Sequence, residues 1–158
     1  METSQSNAKE IVADFLSKQP LMQVATSDSN NMWIATVWYA IDKDLNIYFL
    51  SKETREHSQH IAINSKVTCA ITGQYTKGPG EKIQGVQLSG VAKKLTGLSV
   101  LTGYKVYASK WPQLYTIGPV EAFKGNAAGI HMYSIAPERI VLFDEINFPD
   151  EPRIDINL

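Results

Sequence analysis

The sequence predicts a mainly β protein: six to seven antiparallel strands closed into a barrel of Greek-key type, with α-helices at the periphery. Three observations carry this. Segments of alternating apolar and polar residues recur along the chain, separated by short polar turns. Helical spacing appears only at the start, in the middle and in one long crossover, a distribution that argues against repeated βαβ units. Glycines inside the longest strand candidate suit the bulges and bends of barrel corners better than a flat sheet.

The elements follow in order. Asn7 with Glu10 three residues on has the form of a helix N-cap, and Ile11, Val12, Phe15 and Leu16 then share one helical face until Pro20, giving an N-terminal helix within 1–19. Leu21 to Ser27 is the first strand, and the polar turn Asp28-Ser29-Asn30-Asn31 leads into a second from Trp33 to Ile41. After Asp42-Lys43-Asp44, Leu45 to Ser51 alternates as a half-buried strand with Leu45, Ile47 and Phe49 on one face. Spacing turns helical from Thr54 to Asn64, and Val67, Cys69 and Ile71 mark a fourth strand. Ile83 to Leu95 is the longest strand, with Gly85 and Gly90 as candidate bulges. Leu98, Leu101, Tyr104 and Ala108 define a helix that Pro112 stops. An irregular Gly/Pro stretch precedes two last strands, Gly129 to Ile135 and Arg139 to Ile146, and the tail 149–158 reads as irregular. The whole chain, 1–158, reads as a single domain.

Composition narrows the partners. Fifteen basic against sixteen acidic residues leave a net charge of −1, so no overall field draws the chain to nucleic acid or an anionic membrane. The single cysteine, Cys69, cannot form an internal disulfide. No apolar run approaches the ~20 residues of a membrane helix, and the N-terminus lacks the form of a signal peptide, so the expectation is a cytoplasmic protein with a small-molecule or protein partner.

The strand Trp33 to Ile41 is apolar on both faces. One face can fill the barrel; the other must be covered by a helix, a second subunit or a flat ligand. Beyond it, Ser51, Thr54, Arg55 and His57 cluster where a strand gives way to a helix N-terminus, a combination of cation, hydroxyl and backbone N–H suited to a phosphate. Ordinary helix capping by Thr54 and a solvated surface for Arg55 explain the same residues without a ligand. His57 and His60, three apart on a helix, lack a third metal ligand, so no metal site is expected.

The run Trp33 to Ile41, the hairpin into Tyr48-Phe49-Leu50-Ser51, the segment Thr54-Arg55-Glu56-His57-Ser58-Gln59 and Gln84-Gly85-Val86-Gln87-Leu88-Ser89-Gly90, in that order, resemble the pyridoxamine 5′-phosphate oxidase-like FMN-binding split barrels. Gly85-Val86-Gln87, the Tyr104 to Pro112 region and Asp144-Glu145-Ile146-Asn147-Phe148 resemble the small YhbP-like branch. The resemblance implies a split-barrel homodimer with two FMN sites at the subunit interface, each lined by both chains, and an FMN-dependent oxidoreductase passing hydride or electrons to a small molecule. It implies that Thr36, Val37, Trp38 and Tyr39 line the flavin ring, largely through backbone groups. Ser51, Thr54, Arg55 and His57 then hold the phosphate, Gln87 reaches the ring from the other chain, and Phe143 flanks it. The superfamily pattern carries Ser-Arg-Lys or Arg-His where this chain has Arg55-Glu56-His57. The oxidases' C-terminal Arg-Leu-His is replaced by Asp144-Glu145-Ile146-Asn147-Phe148, whose acids would repel a substrate phosphate, so pyridoxamine phosphate oxidation itself is not expected. Haem-binding members of the superfamily supply the alternative, a flavin or haem carrier with His57, His60 or His131 as axial ligand.

Overall fold

A computed structural model describes residues 2–158, with the side chains described from residue 7. Helix α1 (Glu2–Lys18) leads into strands β1 (Leu21–Ser27), β2 (Met32–Ile41) and β3 (Ile47–Ser51), then helix α2 (Glu56–Ile63) and strands β4 (Lys66–Thr72) and β5 (Gln84–Lys94). Helices α3 (Leu98–Lys110), α4 (Leu114–Ile117) and α5 (Val120–Lys124) precede strands β6 (His131–Asp144) and β7 (Arg153–Ile156). The sheet order is β3-β2-β1-β4-β5-β6-β7, and a further β3–β6 pairing closes six strands into a barrel, with β7 added on the outside of β6. Every pairing is antiparallel. Strand β4 returns beside β1 rather than β3, which is the Greek-key connection.

The interior is filled by one face of each strand: Met22 and Val24, Val37 and Tyr39, Ile47 and Phe49, Cys69 and Ile71, Val86 and Leu88, and Ile140 and Leu142. Helix α1 contributes Ala8, Val12, Phe15 and Leu16 to the same core. A second core lies outside the barrel, where Val100, Tyr104, Tyr107 and Ala108 of α3 meet Tyr48 and Met132 of the sheet with Leu114 and Phe123. Cys69 is a free thiol inside the barrel, pushed up to about 12 by burial, and so is inert at neutral pH.

Several elements differ from the sequence reading. Asn7 lies within α1, so it does not cap the helix. Tyr48 is buried as well as Ile47 and Phe49, so β3 is covered on both faces rather than half-buried. The buried face of α3 runs through Val100, Tyr104, Tyr107 and Ala108, leaving Leu98 82% exposed at the first turn. The stretch after Pro112 contains α4 and α5. The two last strands are one bent strand, β6. Its pairing with β5 slips at Ser89/Gly90, where Glu138 is the extra residue. A Cβ on Gly90 would lie 2.3 Å from the Ala136 carbonyl oxygen, so the bend requires glycine. Pairing runs through Gly85 without a slip, so there is no bulge there. The tail is not irregular: Arg153–Ile156 pairs with Ile140–Phe143 as β7.

Candidate functional site

Strand β2 is ten residues long and β3 only five, and this mismatch builds the site. β1 pairs with β2 from Met32 to Trp38, whereas the β3 ladder on the other side stops at Tyr39↔Phe49. Leu50 and Ser51 leave β2 and continue instead with Met132 and His131 of β6. The barrel wall therefore splits between Thr36–Trp38 and Leu50–Ser51, and the β3-facing backbone edge of Thr36–Trp38 has no ladder partner among the described residues.

A cleft of about 350 Å³ lies at the split, lined by Thr36, Val37, Trp38, Leu50, Ser51, Lys52, Arg55, His57, Tyr107, Ile117 and Ile130. Six of the residues expected from sequence thus meet in one place: Thr36, Val37, Trp38, Ser51, Arg55 and His57. A second hollow of about 760 Å³ shares Arg55 and His57 and adds Thr54, Glu56, His60, Asp28 and Trp33. Thr54 makes no side-chain cap; the capping position of α2 is Arg55, whose extended backbone starts the helix without a side-chain hydrogen bond. Tyr39 belongs to the core, its hydroxyl donating to the Leu16 carbonyl at 2.7 Å and its own carbonyl accepting from Trp111 Nε1 at 2.7 Å. Gln87 lies outside the cleft, on the outer sheet face in a trough with Gln23, Ala25, Ile34, Thr68, Arg139 and Arg153. Phe143 is half-buried opposite Gly85 and Arg153 and lines neither the cleft nor that trough.

The electrostatics of the cleft are cationic. Lys52 and Arg55 stand exposed at its rim, and Lys52 is the cation that the sequence reading missed. Its only signal was its place directly after Ser51. His57 is buried, and its Nε2 lies 2.7 Å from Ser51 Oγ. Burial first, then the charges of Arg55 and His60, hold its pKa below the ordinary value, favouring the neutral ring. The other histidines are engaged elsewhere: His60 Nδ1 with Thr26 Oγ1 at 3.1 Å and its Nε2 3.6 Å from Asp28, and His131 Nε2 3.4 Å from Glu53. Among the described residues no group of three or more His, Cys, Asp or Glu side chains is arranged to hold a metal ion.

The C-terminal acids do not face the cleft. Asp144 is fully buried; its carboxylate accepts from Gln84 Nε2, Asn147 Nδ2 and the Ile146 and Asn147 amides at 2.7–2.9 Å, and pins the turn that follows β6. Glu145 accepts from the Ile83 amide at 2.9 Å. Repulsion of a substrate phosphate therefore has no basis in Asp144, because its charge is saturated within the fold.

The family model described as pyridoxamine 5′-phosphate oxidase matches residues 8–140, which span all but one strand and the end of β6. The chain belongs to that family. Its relatives include a UPF0306 protein of Klebsiella pneumoniae, 28% identical over 64% of this chain and 68% of that protein. The UPF0306 protein YhbP of Salmonella schwarzengrund is 24% identical over the same shares, which agrees with the YhbP-like branch. Among solved structures, the haem storage protein HutZ of Vibrio cholerae shares the fold, with a TM-score of 0.63 and 13% identity over 85% of this chain and 92% of that one. No described helix is long and apolar enough to cross a membrane.

Proposed function

We propose that this family member is an FMN-binding homodimer that transfers hydride or electrons between the flavin and a small molecule. The observation that carries the reading is the split between β2 and β3. It sets an unpaired backbone edge at Thr36–Trp38 beside Lys52, Arg55, Ser51 and His57 in a single cleft. A flavin mononucleotide has a flat ring with a polar edge at one end and a phosphate at the other, and this donor set fits both. Unpaired backbone groups suit the ring edge; Lys52, Arg55 and the Ser51 hydroxyl suit the phosphate. The altered Arg55-Glu56-His57 segment keeps its clamp because Lys52 supplies the second cation. Trp38, Tyr107, Ile117 and Ile130 give the apolar walls such a ring requires. The bound flavin supplies the redox chemistry; the chain binds it, orients it and limits water around it.

The dimer rests on the outward face of β2. Met32 is 85%, Ile34 62% and Trp38 53% exposed on that one face of the strand, and Ile34 also lines the Gln87 trough. A second copy seated there would cover these side chains and bring Gln87 towards the cleft of its neighbour.

The likeness in fold to a haem storage protein, together with a neutral histidine in the cleft, favours haem as the second reading. Titration of the purified protein with FMN and, separately, with haem decides between them. The expected result is saturable quenching of flavin fluorescence and a dimer by sedimentation. A Soret band shifted by ligation, without flavin uptake, supports haem; uptake of neither overturns both.

A further inference from the structure

The cleft is not the only cavity that reaches this end of α2. On the other side of the helix, a cavity of about 400 Å³ is lined by Ser58, Gln59, Ile61, Ala62, Glu53, Lys93, Lys94 and Tyr133. Ser51 and His57 line the cleft, Ser58 lines this second cavity, and the three side chains are joined. Ser58 Oγ donates to Ser51 Oγ at 2.8 Å, and Ser51 Oγ lies 2.7 Å from His57 Nε2. All three are buried. The Ser51 hydroxyl has one alternative acceptor, the Lys52 carbonyl at 3.2 Å, and the shorter contact to the ring is the better one.

One alignment of the hydroxyl protons joins all three groups: with Ser58 giving its proton to Ser51 rather than to the Tyr133 phenol, Ser51 gives its own to His57, Nε2 accepts and the ring hydrogen sits on Nδ1. Among the described residues Nδ1 has no hydrogen-bond partner, and no buried unpartnered side-chain nitrogen or oxygen exists among them, so Nδ1 is reached by solvent, on a ring that lines both the cleft and the hollow beside it. We propose that Ser58, Ser51 and His57 form a proton relay through the barrel wall, carrying protons between the cavity behind α2 and the cleft. Nε2 takes the Ser51 proton as Nδ1 releases its own into the cleft. Ser51 is refilled from Ser58, and Ser58 from water in the second cavity. One proton enters and one leaves, no oxidant or reductant is consumed, and a ring flip or tautomer exchange with reorientation of the hydroxyls returns the hydrogen to Nδ1 before the next transfer.

The surroundings suit a group that transmits a proton without retaining it. Arg55, at the cap of α2, and His60 within it lie beside the ring and disfavour its charged form, and Phe49 packs against it with ring centroids 6.4 Å apart. Lys52 adds a cation at the rim of the cleft, and Glu56 lies on the side of His60. At the far cavity, Glu53 is paired with Lys94 and His131, and the Tyr133 phenol lies beside Ser58. The use of such a relay rests on the reading of the cleft as a redox site: a flat ligand filling it covers the open side of His57, and the serine path then supplies the proton from behind.

Ring-¹⁵N NMR of the cofactor-free protein tests the geometry without flavin. The expected result is a neutral His57 with its proton on Nδ1, a preference lost in Ser51→Ala and weakened in Ser58→Ala; a proton on Nε2 in the wild type overturns the relay. The transfer itself is read from His57 protonation kinetics after a pH jump, with FMN or, if FMN does not bind, a planar aromatic probe shielding the cleft. Ser58→Ala slows it about tenfold, short of the 10²–10⁴ attached to losing a general acid–base outright, and Ser58→Thr restores it. Equal rates in wild type and Ser58→Ala, with both folded by circular dichroism, overturn the proposal. Failure of FMN to bind overturns the redox reading alone and leaves the NMR result standing.

Discussion

The two halves of β2 differ in kind. From Tyr39 to Ile41 the strand pairs with β3, and Tyr39 is locked by the Leu16 carbonyl below, the Trp111 indole above and the Lys110 ammonium 4.2 Å from its ring centroid. From Met32 to Trp38 one edge carries β1 and the other carries no strand, while Ile34 and Trp38 stand in solvent. Each half carries a ladder on one edge only, but in the first the Tyr39 carbonyl is taken by the Trp111 indole, whereas in the second the β3-facing edge has no ladder partner among the described residues; strand register at a single residue pair, Tyr39↔Phe49, divides them.

Substitutions at neighbouring positions should separate the halves. Tyr39→Ala removes a fully buried aromatic ring and its hydrogen bond, and should cost about 3–5 kcal/mol in urea unfolding. A loss below ~1 kcal/mol would mean that Tyr39 is not locked as described. Arg55→Ala and Lys52→Ala should leave the unfolding midpoint unchanged and weaken FMN binding by about tenfold or more each, the scale of a lost charge-assisted hydrogen bond. If neither changes affinity in a fluorescence titration, the phosphate lies elsewhere.

A pH effect follows from Asp144, far from the cleft. Burial pushes its pKa up, but the hydrogen bonds from Asn147, Gln84 and the Ile146 amide outweigh it, and the net shift is below the ordinary 3.8. A carboxylate depressed on folding contributes stability that is fully present above its unfolded value and is lost as pH falls through the folded one. Wild-type stability should therefore drop below pH ~4, with a shallower acid limb in Asp144→Asn. Identical limbs would show that the carboxylate is not held as an anion. Smallest of all should be Trp38→Ala: unfolding should change by under ~1 kcal/mol at low protein concentration, while sedimentation shifts towards monomer.

How far this was legible in the sequence depended on contact distance along the chain. Ser51, Arg55 and His57 were readable because they belong to one short run between a strand and a helix N-terminus, while Thr36, Val37 and Trp38 were placed by the resemblance. Lys52 was not, since a lysine after a strand reads as solvated surface until the β2–β3 split places it at a rim. Tyr107, Ile117 and Ile130 enter from α3 and the segment beyond it, through packing that no local pattern encodes. Gln87 and Phe143 were placed by resemblance, which presumes a second chain; within one chain they stand away from the cleft. The bend in β6 looked like a gap between strands because Pro137 and the extra Glu138 interrupt the alternation. β7 was too short to show a period, and its ladder to Ile140–Phe143 is a tertiary fact.

Hydrogen–deuterium exchange with and without FMN addresses the open edge of β2 most directly. Within Thr36–Trp38 the amides that face away from β1 should exchange readily in the free protein and slow when flavin is added, together with those of Lys52–His57, while the amides bonded to β1, and those of Tyr39–Ile41 bonded to β3, stay protected throughout. Flavin binding that leaves 36–38 and 52–57 unprotected, or that protects only residues elsewhere, would contradict the assignment of the split between β2 and β3 as the flavin site.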